Sequence, residues 1–124
     1  FVDTASDAPA YNEKVSFEAR PSEVAVLLCS QCHKALEGQP AASICGGIMG
    51  DEYVESWYLC TSCGVYTKEI YHDRFCGEPS VLATGPIAKA DGDKKVALIR
   101  RCSRTWDKHC RCRSHMTYFD GRLD

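Results

Sequence analysis

A small β-rich domain, stapled by bound metal and poor in helix, is the fold class that three observations predict. Nine cysteines stand among 124 residues, and six of them fall in close pairs: Cys29/Cys32, Cys60/Cys63 and Cys110/Cys112. Residues 53–59 and 65–71 are rich in aromatic and β-branched side chains, as strands should be, and they flank the turn Cys60-Thr61-Ser62-Cys63-Gly64. A chain of this length buries only a modest core, so cross-links of some kind would add needed stability.

The remaining composition narrows the class further. Hydrophobic residues make up 44% and mean hydropathy is -0.30, values of an ordinary soluble chain of one domain, or one domain with a small module. The longest apolar run, residues 24–29, falls far short of the roughly 20 residues that span a bilayer, and no signal-peptide pattern is visible. No membrane insertion is expected. An odd number of cysteines suits a disulfide framework poorly, whereas thiols two or three positions apart turn readily toward one ion. Metal-bound thiolates imply a reducing compartment, so the expected location is cytoplasmic.

Residues 1–22 are polar, carry Pro9 and Pro21, and sustain no helical or strand period. They read as an N-terminal arm, which Tyr11, Val15 and Phe17 could dock on a partner. Residues 23–79 read as the metal-binding core. The apolar run leads into Cys29-Ser30-Gln31-Cys32, and then Gly38, Pro40, Gly46, Gly47 and Gly50 predict an irregular crossing. The strand, Cys-x2-Cys-Gly turn and returning strand of residues 53–71 follow. Such a turn aims backbone amides at both sulfurs and so stabilises thiolate charge, while Gly64 permits the left-handed conformation a tight turn requires. The expected first site is Cys29, Cys32, Cys60 and Cys63, in the pattern Cys-x2-Cys-x27-Cys-x2-Cys.

On these residues the sequence resembles a zinc ribbon, and more loosely a rubredoxin, over about a third of the chain. The resemblance implies a zinc-ribbon-like domain with a tetrathiolate site, without singling out a particular family. Zinc would be redox-silent and structural; iron in the same cage would carry electrons. Rubredoxin knuckles usually carry proline and glycine, but here the first continues Cys32-His33-Lys34, which favours zinc. Cys29-Ser30-Gln31-Cys32-His33 also matches the attachment motif of c-type haem, with His33 as axial ligand and Met49, Met116 or another histidine opposite. That alternative would leave Cys60 and Cys63 without a role.

Residues 80–99 read as a linker whose Asp91-Gly92 pair would turn a hairpin. Residues 100–124 form a basic Cys/His-rich module. Its expected second zinc takes Cys76, Cys102, Cys110 and Cys112, with His115 as the rival for the fourth place because it completes a Cys-x2-His pair with Cys112. Two zinc ions per chain are therefore expected.

Charge is uneven. Residues 1–60 hold nine acids and three bases; residues 61–124 hold eight acids and twelve bases. Lys94, Lys95, Arg100, Arg101, Arg104, Arg111 and Arg113 make a patch for an anionic partner. Compensation of a tetrathiolate's negative charge is the plainer reading of the same residues.

No catalytic constellation is apparent. A zinc deaminase needs His-x-Glu ahead of Pro-Cys-x2-Cys, and a thioredoxin-like site needs a βαβ pattern around its Cys-x2-Cys; both are missing. The expected role is a non-catalytic zinc-binding accessory subunit or adaptor with a protein partner. An electron-transfer protein using iron or haem, and a nucleic-acid-binding zinc module, are the alternatives.

Overall fold

The structure, a computed structural model, describes residues 26–124; the arm expected over residues 1–22 lies outside the described residues. Four strands form one sheet in the order β1-β2-β3-β4, each antiparallel to its neighbour: β1 (Ala42–Ile48), β2 (Asp51–Cys60), β3 (Val65–Asp73) and β4 (Ser80–Ala88). Two helices follow, α1 (Lys89–Arg100) and α2 (Arg113–Tyr118). The β-rich architecture with little helix is the one the composition of residues 53–71 predicts.

The sheet is larger than predicted, and the helix is new. The glycine-rich crossing is in fact a regular strand, β1, paired from Ala42↔Trp57 to Ile48↔Asp51. Its glycines mark close approach rather than irregularity. A β-carbon on Gly46 would stand 2.6 Å from the ring of Phe119 and 2.9 Å from Leu123, so only glycine lets that ring lie on the strand. The expected linker and hairpin over residues 80–99 is β4 followed by α1, and Asp91-Gly92 lies within the helix. The physical reason is the same: a β-carbon at Gly92 would stand 2.0 Å from the Tyr66 ring. Glycine here brings the helix down onto β3 instead of reversing the chain.

Helix α1 buries Gly92, Val96 and Ile99, a stripe at helical spacing. That stripe meets Ile44, Trp57 and Tyr66 from the sheet and Tyr118 and Phe119 from the end of α2 and just beyond. Each such large side chain contributes about 1.5–3 kcal/mol on leaving water. Trp57 and Tyr66 meet edge to face at 6.0 Å. Their polar ends are satisfied, since Trp57 Nε1 donates to the Tyr118 hydroxyl at 2.9 Å and the Tyr66 hydroxyl donates to Asp93 at 2.7 Å. The core thus ties the β2–β3 hairpin, which bears Cys60 and Cys63, to the helical segment that bears Cys102, Cys110 and Cys112.

Candidate metal centres

The first knuckle is a short ribbon. Leu36 N–H donates to Leu27 and Cys29 N–H to Lys34, and His33 N–H closes the turn on the Cys29 carbonyl at 3.0 Å. The second knuckle repeats this, with Gly64 N–H on the Cys60 carbonyl at 2.7 Å. The residue after the second cysteine is left-handed in both turns, at φ 64° for His33 and 70° for Gly64. His33 therefore takes the conformation that glycine supplies in the other knuckle, which accounts for the departure from the rubredoxin pattern. The first knuckle docks on β3 through the buried Thr67, whose hydroxyl accepts Ser30 N–H and meets the Ser30 hydroxyl, each at 2.9 Å.

These turns bring Cys29, Cys32, Cys60 and Cys63 together, all four sulfurs lying within 4.8 Å of one another. Cys29 to Cys63 is 3.4 Å and Cys32 to Cys60 is 3.7 Å. Tetrahedral thiolates about 2.3 Å from a zinc stand about 3.8 Å apart, so the set fits one ion. Burial opposes charge on Cys29, but the amides of Cys32 and Gln31 outweigh it and hold the thiol down to about 6. The amide of Cys63 similarly lowers Cys60. Cys63 is pushed up to about 12, first by burial and then by its neighbouring sulfurs. Four thiolates this close would repel one another, and a cation at their centre would relieve the repulsion.

The second group is Cys102, Cys110, Cys112 and His115, again with its donor atoms within 4.8 Å of one another. Cys102 to Cys110 is 3.7 Å, and Cys102 Sγ to His115 Nδ1 is 3.3 Å. Cys112 is the N-cap of α2 and its sulfur accepts His115 N–H at 3.4 Å, so one turn of helix sets the Cys-x2-His spacing. That amide lowers the Cys112 thiol, while burial raises Cys102 to about 11 despite the Arg104 amide on its sulfur.

His115 is fully buried. Its Nε2 lies 2.5 Å from the Cys45 carbonyl, a group that only accepts. Nε2 therefore carries a proton, and in a neutral ring Nδ1 turns its lone pair toward Cys102, the arrangement of a metal-ligating histidine with its supporting acceptor.

Cys76 does not belong to this group. It is exposed in the turn between β3 and β4 and is not among the gathered donors, whereas the group hangs from the outer edge of β1 through Cys45 N–H on the Thr105 carbonyl and Cys45 C=O on His115. The fourth donor gathered there is the rival residue, His115. The signal for it was the Cys-x2-His spacing; the Cys45 carbonyl that fixes its tautomer left no trace in the sequence. Cys45 itself is half-buried, and burial together with Glu52 raises its thiol to about 11.

The basic patch is only partly occupied. Arg100 donates to the Ala41 carbonyl, Arg111 to the carbonyls of Lys108 and Cys110, and Arg104 pairs with Asp107 at 2.5 Å. Lys95 lies over the Tyr118 ring at 5.3 Å. Lys94, Arg101 and Arg113 are exposed.

Among the described residues, no helix is long and apolar enough to cross a membrane. The chain matches no protein family, no curated protein and no solved structure.

Proposed function

We propose that this chain is a non-catalytic zinc protein whose two ions hold its knuckles in place, and that it works as an accessory subunit or adaptor of a larger assembly. The observation that carries the reading is that both groups are closed: each offers four protein donors within 4.8 Å of one another. A structural zinc uses all four positions in this way, whereas a catalytic one keeps a position for water. A Cys3His set also suits zinc better than an electron-carrying iron. Haem attachment would turn Cys29 and Cys32 away from Cys60 and Cys63. Support for a docking role comes from the large apolar side chains left in solvent, Met49, Phe75, Val81 and Leu82, at the turns and edge strand of one end of the sheet.

Metal analysis of the purified chain should give two zinc ions, with no absorption in the visible, and cobalt substitution should give the intense bands of tetrahedral thiolate sites. Iron, or a reversible redox couple, would overturn the zinc reading. The tagged chain expressed in its native cells should elute in a stoichiometric complex; elution as a lone monomer would overturn the subunit reading.

A further inference from the structure

Between Cys102 and Cys110 the chain forms a loop whose two ends are both ligands of the second group. At its outer side Trp106 is 70% exposed, an unusual position for the largest apolar side chain. It is held rather than loose. The Arg104 guanidinium lies 5.4 Å over the indole ring, and Asp107 fixes the loop by pairing with Arg104 and accepting His109 N–H at 2.9 Å. Near it in the sequence, Arg101, Lys108, Arg111 and Arg113 are exposed. The nearby acids are engaged: Asp107 in the loop, Glu52 at 3.8 Å from Lys108, and Asp124, which faces the charge of Arg111 and accepts Met49 and Gly50 N–H.

Charge compensation does not account for this surface. Three thiolates and a neutral imidazole around a divalent ion carry a net charge of about -1. Between Arg100 and Arg113 stand six cationic side chains and a single acid, Asp107. Set against that ion and against Asp107, Glu52 and Asp124, six cations still leave about two positive charges in surplus. An exposed, pre-positioned indole among arginines offers what single-stranded nucleic acid takes: a platform for a base and cations for the flanking phosphates. An acidic polypeptide would use the cations and leave the indole idle.

We infer that the loop of residues 102–110, with Arg101, Arg111 and Arg113, binds single-stranded nucleic acid by stacking a base on Trp106. The inference rests on the reading of Cys102, Cys110, Cys112 and His115 as a metal site, because the ion sets the spacing of the loop's ends. It adds a polynucleotide to what the adaptor contacts.

The test uses the full zinc-loaded chain and a fluorescein-labelled thymine homopolymer of about 15 nucleotides, followed by anisotropy. Binding should weaken roughly tenfold or more between about 50 and about 200 mM salt. Trp106→Ala should weaken it roughly tenfold or more, while Trp106→Phe stays within about threefold, since stacking needs only an aromatic face. The double variant Arg101→Glu/Arg113→Glu should flatten the salt dependence. Absence of binding at the lower salt, or an unchanged affinity in Trp106→Ala, overturns the inference. So does displacement of the oligonucleotide by polyglutamate at matched charge, which would mark the patch as a site for acidic protein. Metal content measured on the same samples separates the two failures: two ions without binding sinks this inference alone, and a missing second ion sinks the metal site beneath it.

Discussion

Replacing His115 by alanine tests the second centre most directly, because the two candidate ligand sets differ there. The side chain is fully buried, and its Nε2 is the donor to the Cys45 carbonyl at 2.5 Å. Truncation leaves that carbonyl unsatisfied, at a cost of about 1–3 kcal/mol. It also opens a cavity beneath Phe119, whose ring stacks on the imidazole at 5.9 Å, and the cavity adds a comparable amount. Loss of a ligand removes the ion's contribution on top of both. In a domain of this size each kcal/mol moves Tm by about 4–8 °C, so Tm should fall by at least about 10 °C. Metal analysis after dialysis should drop from two ions to one. His115→Cys restores a fourth donor and should recover the second ion but only part of the Tm, since the Cys45 carbonyl stays without its donor. Cys76→Ser should change neither. If His115→Ala kept two ions while Cys76→Ser lost one, the assignment would be wrong and Cys76 would be the ligand.

Other expectations follow from the same geometry. Cys60→Ser should lose the first ion and keep the second, as seen by metal analysis, because the two groups share no residue; loss of both ions would show that the centres do not form separately. Gly92→Ala should destabilise by about 1–2 kcal/mol in urea unfolding, although glycine-to-alanine in a helix normally gains about 1 kcal/mol, because the new β-carbon meets Tyr66; the exposed Ala97→Gly calibrates the ordinary propensity, and a more stable Gly92→Ala would refute the packing. Tyr118→Phe removes a hydroxyl that joins Trp57 to Glu55, and should cost about 1–3 kcal/mol in the same assay. With both ions bound, iodoacetamide should label Cys76 first, since it is exposed and outside both groups; peptide mass spectrometry locates the adduct, and faster labelling of Cys112 would count against the second ion.

How much of this was legible in the sequence depends on the range over which each feature is determined. The first centre was readable because Cys-x2-Cys turns are local devices, and the strands around Cys60 and Cys63 announce themselves by composition. The second was readable as a density of donors, but its fourth member was not decided locally. Cys76 and His115 both lie within reach along the chain, and only the path of the sheet puts Cys76 at the β3–β4 turn and His115 against β1. Gly46 and Gly92 misled for one reason. A glycine that admits a neighbouring ring and a glycine that turns the chain look alike until Phe119 and Tyr66 are in place.

The outer edge of β1 has a bearing on how the chain behaves when its metal is withdrawn. Cys45 N–H is taken by Thr105, Cys45 C=O by His115 and Gly47 C=O by Asp124 N–H. All three partners come from the segment that carries Cys102, Cys110, Cys112 and His115 or from the tail that follows it. An ion removed there releases more than a loop. It bares a row of strand amides and carbonyls beside Gly46 and Gly47, residues with no side chain to deter another strand from pairing. On the metal-site reading proposed above, an ion in the second group guards a seam, and chelation should turn a discrete particle into one that self-associates through β1.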